Sequence, residues 1–294
     1  VKDILMMKLK LNDFLETIKA YWLFLLPHYL FSRLTYVITR TRNPLVPFLI
    51  RFYVKLFKVN LKECIETSPN KYETFCDFFT RKLKPGIHKI DSSENSVVST
   101  CDGSVTELGK IEDNSILQVK GKKIHLDDLL GYDKQLKNEF DNGSFLTIYL
   151  SPKDYHRVHM PCDGKLIKTI HVPGRLFSVA KHAVNKIKNL YARNERLICK
   201  FKNEMTSFSV IFVAAINVSS IEVSWKGEAS PPYPKKTISS NYSKKKITYD
   251  KGEEFGMFKS GSTVIILFDA TVEISKEIRK GQKIRVGQKI GLLK

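Results

Sequence analysis

The chain has no Cys-x-x-Cys pair, and its five cysteines (Cys64, Cys76, Cys101, Cys162 and Cys199) are odd in number and irregularly spaced. That excludes a disulfide framework and points to a reducing compartment, with Cys101 and Cys162 expected as small buried apolar residues. It also leaves a zinc reading of His156, His159 and Cys162 without the second ligand pair of a regular structural site, so no metal is expected. A Gly-x-Ser-x-Gly elbow, the mark of many serine hydrolases, is missing as well. No recognition-helix, RNP or zinc-finger pattern is present, and Lys outnumbers Arg, so nucleic acid is not an expected partner. No small-residue cleavage site follows the N-terminal apolar stretch, which argues against a secretory signal peptide. Nor does that stretch reach the about 20 uninterrupted apolar residues of a spanning helix, because Glu16, Lys19, Pro27 and His28 break it. Acid is the scarce charge: 49 Lys and Arg against 30 Asp and Glu give a net +19. Such a balance favours an anionic surface as partner.

What is present, 294 residues of which 43% are hydrophobic, is enough for one sizeable core with an appendage. Residues 1–60 read as an amphipathic helical region that associates with membrane, and residues 61–294 as the catalytic domain. Within the first region, residues 14–31 are apolar and aromatic. Residues 45–58 place Leu45, Leu49, Phe52 and Leu56 at helical spacing, with Arg51, Lys55 and Lys58 available for headgroups. That is an interfacial helix, or else one whose apolar face packs on its own domain. Beyond residue 95 the chain reads mostly as β: short apolar runs at 145–150, 208–216, 221–225 and 264–268 are separated by Gly, Pro and Asn signals. Segments 126–130 and 176–190 add short helices, and 228–246, with three prolines and five lysines, reads as an exposed loop. The echo of Gly281-Gln282-Lys283-Ile284 in Gly287-Gln288-Lys289-Ile290 is similar to the turns of barrel-sandwich carrier domains. No carrier lysine in an Asp-Lys-Ala or Met-Lys-Met setting accompanies it. The expected fold class is α+β: a predominantly β catalytic domain with barrel-sandwich-like elements and N-terminal amphipathic helices.

Three segments carry chemistry-bearing residues. Ser262 follows Gly261, whose carbonyl no Cβ shields, and precedes the run Val264-Ile265-Ile266-Leu267-Phe268; alone this reads as a turn entering a strand. In Ser151-Pro152-Lys153-Asp154-Tyr155-His156-Arg157-Val158-His159-Met160-Pro161-Cys162, two histidines fall three residues apart. Such residues point to opposite faces of a strand, so an irregular loop is what would aim both at one site. Asp102-Gly103 alone would be a turn.

Taken in order, these segments, together with Tyr72-Glu73-Thr74-Phe75, Phe78-Phe79, Arg81, Val172-Pro173-Gly174 and Ala192-Arg193-Asn194-Glu195-Arg196, resemble phosphatidylserine decarboxylases of the bacterial and mitochondrial type. The likeness runs from about residue 60 to the C-terminus. One departure is Ser260, where the family most often has Leu; it is expected to affect the rate of maturation more than its occurrence. The resemblance implies that Ser262 Oγ attacks the carbonyl carbon of Gly261, with His159 as base and Asp102 holding its imidazole. Elimination and hydrolysis then leave a β chain, 1–261, and an α chain, 262–294, that begins with a covalent pyruvoyl group. It further implies a Schiff base between that pyruvoyl and the serine amine of phosphatidylserine, loss of carbon dioxide, and release of phosphatidylethanolamine. His156 is assigned to decarboxylation as proton donor or carboxylate-positioning group, and Asp154 is either its orienter or a turn residue. Expected partners are phosphatidylserine, the membrane surface and the two chains of one precursor, peripheral on the cytoplasmic face, with self-association into a homo-oligomer left open. A serine hydrolase and a non-catalytic basic lipid-binding module are the alternatives.

Overall fold

The computed structural model describes Met7 and residues 27–118, 121–216, 220–259 and 262–294. Residues 14–26 of the apolar N-terminal stretch, and both Ser260 and Gly261, lie outside the described residues. The architecture is α+β and mostly sheet.

Nine strands among the described residues form one large antiparallel sheet. Its spatial order is Ile238–Asn241, Gly164–Val172, Arg196–Lys202, Ser207–Val213, Ser262–Phe268, Ser144–Leu150, Gly103–Lys110 and Lys283–Ile284, with Thr248–Tyr249 paired to the start of Gly164–Val172. The order is open at both ends, so the barrel-like part of the expectation is corrected: no closed barrel forms among the described residues. Strands Ser207–Val213 and Ser262–Phe268 are buried at every position, which is why residues 210–213 and 264–268 within them read as unbroken apolar runs. Ser262 is itself the first residue of its strand and pairs with Leu150. The expected turn therefore ends two residues earlier than the apolar pattern alone indicated.

Gly103 explains the Asp-Gly pair. A Cβ there would stand 2.6 Å from both Ile148 Cγ2 and the Tyr149 carbonyl oxygen, so only glycine lets this strand lie against Ser144–Leu150. Asp102 is thereby fixed at the start of this strand, which lies between Ser144–Leu150 and the edge strand Lys283–Ile284.

A second sheet, in the order Gly227–Ser230, Ile221–Val223, Glu254–Phe258 and Arg157–His159, covers one face of the first. Phe212 of the large sheet packs on Phe255 and Phe258 of the small one, with ring centroids 5.7 and 5.0 Å apart. Phe212 pairs with Val264, and Ser262 lies two residues from Val264 on the same face. The strand that bears His159 is thus part of the layer over the face that bears Ser262. Segment 228–246, expected as loop, is largely exposed but includes the end of Gly227–Ser230 and the edge strand Ile238–Asn241, because Gly164–Val172 offers it an unpaired edge.

Three helices sit at one end: α1 (His28–Arg40), α2 (Val46–Phe57) and α3 (Phe75–Phe79). Val46 and Ile50 of α2 are buried with Val59, Tyr72 and Phe78, so apolar packing runs across residue 60. Leu45, Leu49, Phe52 and Leu56 instead face outward, the last three being 45, 61 and 58% exposed. On α1, Leu30, Leu34, Val37 and Ile38 are exposed too. The amphipathic spacing therefore marks an outward apolar face and not a packed one. Among the described residues, no helix is long and apolar enough to cross a membrane. Helix α1 is tied to the body by Arg40, whose guanidinium lies 2.8 Å from Glu228; the same carboxylate takes Lys259 at 2.7 Å.

Candidate active site

Pairing of Ser262 with Leu150 sets the serine opposite the last strand residue before the loop that carries both histidines. Side-chain and backbone bonds hold that loop. Asp154 Oδ2 accepts from the Ser151 backbone N–H at 2.8 Å and from its hydroxyl at 2.6 Å, closing the turn. The Arg81 guanidinium donates to the carbonyls of Lys153 (2.7 Å) and Asp154 (3.1 Å), and Arg157 donates to the Thr80 carbonyl. The segment from Thr74 to Arg81, opened by a Thr74–Asp77 capping box, thus serves as the grip on the histidine loop. Phe79 completes it by packing on the His156 ring, centroids 4.3 Å apart.

The two histidines are aimed differently. His159 belongs to the short strand Arg157–His159, and its backbone N–H donates to the Thr100 carbonyl at 2.8 Å, two residues before Asp102. His156 stands just ahead of that strand, where the loop is irregular, as the i, i+3 spacing required.

His156 is fully buried. Its Nδ1 is 2.8 Å from the Asp154 carbonyl, which can only accept, so Nδ1 carries the proton and Nε2 a lone pair; that Nε2 has no hydrogen-bond partner. Asp154 therefore orients His156 through its backbone, while its carboxylate serves the turn. Burial, with the charge of Arg81 added, lowers the His156 pKa to about 3.

The same logic fixes His159. Nδ1 lies 2.8 Å from the Gly252 carbonyl and donates to it, leaving Nε2 to accept from the Tyr155 hydroxyl at 3.2 Å. Burial lowers its pKa, so the neutral form with a basic Nε2 is the resting one. Gly252 has φ +80°, and a Cβ there would meet Ile90 at 2.8 Å, so this carbonyl is presented by a residue that has to be glycine.

Asp102 was expected to set the His159 tautomer, and here that task falls to Gly252. The Asp102 carboxylate instead accepts from His88 Nε2 at 2.9 Å and from the Val286 backbone N–H at 2.8 Å. Tyr155, Gly252 and His88 are the participants that sequence reading passed over. Tyr155 stood inside the histidine motif, whereas nothing in the spacing of Gly252 or His88 announces them.

Ser262 is wholly buried and its Oγ has no hydrogen-bond partner. All five cysteines are buried free thiols, and among the described residues no three His, Cys, Asp or Glu side chains gather as a metal site. A cavity of about 490 Å³ opens beside this centre, lined by Tyr53, Phe57, Phe75 and Phe79 on the helical side and by Tyr149 and Lys259 on the sheet side.

A pH dependence follows from His156. Below its ordinary value of 6.5 the unfolded chain takes up a proton that the folded chain refuses until about pH 3, so stability is lost as pH falls through that window. For one such group the slope reaches about 1.4 kcal/mol per pH unit. Urea denaturation of the Ser262→Ala chain should therefore lose about 2 kcal/mol more between about pH 6.5 and pH 5 than the same chain carrying His156→Gln, which binds no proton. Equal losses would show that His156 is not held neutral.

A serine hydroxyl sealed within a sheet, beneath a layer that carries a neutral histidine with its basic nitrogen free of a proton, defines a serine-centred enzyme whose nucleophile no external ester can reach. The profile of the phosphatidylserine decarboxylase family matches residues 75–292, and the chain belongs to that family. Similar proteins include a phosphatidylserine decarboxylase proenzyme from Alkalilimnicola ehrlichii, 44% identical over 255 residues, which are 86% of this chain and 88% of that one. Another, of the same name, is from Francisella tularensis subsp. mediasiatica, 43% identical over 283 residues, 95% of this chain and 99% of its own.

Proposed function

We propose that the protein is a single-chain precursor that cuts itself between Gly261 and Ser262, and that the cut form decarboxylates phosphatidylserine to phosphatidylethanolamine and carbon dioxide. The observation that carries this reading is the orphaned Ser262 hydroxyl. A buried O–H without a partner is costly, and a hydrolase would gain nothing from hiding it. Conversion of Ser262 to a pyruvoyl group replaces the hydroxymethyl by a methyl, so the position suits the product better than the serine.

In the first reaction His159 Nε2 takes the Ser262 proton, Tyr155 having released it, and the Gly252 carbonyl steadies Nδ1–H as the imidazolium forms. Once formed, the pyruvoyl supplies an electron sink for the pair left when carbon dioxide departs. His156, held neutral by burial and with Nε2 free of a partner, is the group placed to position the departing carboxylate or to pass a proton to carbon. Phe79 fixes the His156 ring, and the aromatic walls of the cavity keep water from the site.

The substrate's reacting atoms lie at headgroup level, so the site has to be held against a bilayer. Helices α1 and α2 present the outward apolar faces suited to that, at the end of the molecule where the cavity is lined by both. Lys55 and Lys58 add attraction to anionic lipid, each basic contact being worth about 1 kcal/mol and weakening with salt. Arg51 donates to Asn70 at 2.5 Å and is less available. On this reading the protein is peripheral, on the cytoplasmic face of the membrane. Purified protein should sediment with phosphatidylserine vesicles and release carbon dioxide from them. Leu49, Phe52 and Leu56 replaced together by Ser should abolish both while leaving self-cleavage intact. Undiminished vesicle binding by that variant would remove α2 from the docking surface, and no carbon dioxide from the unaltered protein would overturn the activity.

A further inference from the structure

We propose that His88 is a positioning residue for self-cleavage, the group through which Asp102 acts on His159; this rests on the self-cleavage reading above. Asp102 and His159 share no hydrogen bond, since the ring nitrogens of His159 are taken by Gly252 and Tyr155. The Asp102 carboxylate is held from two sides, by Val286 N–H on Oδ1 and by His88 Nε2–H, which stands 2.9 Å from Oδ1 and 3.1 Å from Oδ2. Only 11% of the His88 side chain and 14% of the Asp102 side chain are exposed, so neither bond competes freely with water. The His88 ring also forms one corner of a triangle with the other two: its centroid is 5.2 Å from that of Tyr155 and 6.3 Å from that of His159, which are 5.7 Å apart.

Two consequences follow for the base. His88 pins a negative charge at a fixed place near His159, where it stabilises the imidazolium that appears when Ser262 gives up its proton. It also backs the Tyr155 ring, and so the hydroxyl that rests on His159 Nε2. Other cations stand ready to draw Asp102 away: Lys153, Lys283 and Arg285 line the same recess of about 300 Å³ as Asp102. Without His88 the carboxylate keeps the Val286 N–H alone and is free to turn toward them. Sequence spacing cannot show this, because residues 88 and 102 meet only through the fold.

The test is the half-time of self-cleavage, followed by mass from the start of synthesis. His88→Ala should slow the cut by roughly ten- to a hundredfold, the scale of a misplaced catalytic group. His88→Gln, whose amide can put an N–H where Nε2 stands, should recover most of the rate. In an Asp102→Asn background, His88→Ala should add less than about a twofold effect, as expected when two residues act as one unit. If His88→Ala fails to fold, as judged by the melting of its Ser262→Ala form, His88→Leu keeps the packing on Tyr155, removes the donor and is read in the same way. Normal cutting by the Ala or Leu variant, or an equal slowing with and without the Asp102 carboxylate, would overturn the role of His88 and leave self-cleavage standing. A parent chain that never cuts would overturn both.

Discussion

Under denaturing conditions, purified protein is expected to separate into a large chain ending at Gly261 and a small one made of residues 262–294 whose N-terminus is blocked to α-amine chemistry, its lysines still reacting. The small chain should be lighter by one ammonia than the product of plain hydrolysis at that bond. Ser262→Ala should remain a single chain, because no other group can supply the oxygen that becomes part of the Gly261 carboxylate. The effect is all-or-none on the timescale of purification, since the unassisted backbone has no comparable route. The argument is geometric as well as chemical. Lys259 is fixed by its backbone bond to the Ser220 carbonyl (2.9 Å) and its side-chain contacts with Glu222 and Glu228, while Ser262 is fixed by the sheet. The bond to be cut therefore lies between two immobilised points. A wild-type chain that stays whole and unmodified would sink the mechanism.

The second large effect separates the histidines. His159→Ala should remain uncut, or cut about 10²- to 10⁴-fold more slowly, the usual cost of a missing general base. His156→Ala should cut normally yet release little carbon dioxide from phosphatidylserine, because the buried Nε2 that carries the proton is gone. The fall in turnover per cut molecule should be of the same order, about 10²-fold or more. Their different hydrogen bonds support the division. His159 Nε2 is covered by a hydroxyl that can be withdrawn, whereas His156 Nε2 is open toward the interior. Blocked cleavage in His156→Ala together with normal maturation in His159→Ala would reverse the assignment.

Much of this was legible in the residues. The strand at Ser262–Phe268 and the helix at Val46–Phe57 announce themselves because one is apolar from Val264 onward and the other follows the helical spacing of Leu45, Leu49, Phe52 and Leu56. Strands Gly164–Val172 and Arg196–Lys202 were silent. Lys165, Lys168, Arg196 and Lys200 break their apolar pattern, yet Arg196 is buried and spends its guanidinium on the carbonyls of Leu129, Ala192 and Asn194. A long cation can enter a core when backbone oxygens are waiting for it, and no local pattern reports that they are. The site divided along the same line. Ser262 and the histidines belong to compact motifs, whereas Gly252 meets His159 from 93 positions away and His88 meets Asp102 from 14, through loops whose course depends on the whole fold.

The central place of Ser262–Phe268 has a consequence for the life of the cut enzyme. Every strand partner of residues 262–294 outside that segment belongs to the larger chain: Ser144–Leu150 and Ser207–Val213 flank Ser262–Phe268, Ser96–Val98 pairs with Lys289–Leu293, and Gly103–Lys110 with Lys283–Ile284. If the chain is cut at Gly261–Ser262, the two products are thus interleaved in two sheets, with Ser262–Phe268 flanked on both sides by the larger chain, so dilution alone does not peel them apart. Folding has to precede the cut, since afterwards the pieces could find each other only by collision, and the small one would have to insert a strand into the middle of the large sheet. An unfolded mature molecule is therefore spent. Its working lifetime is set by the height of the unfolding barrier, and the stability that matters is kinetic.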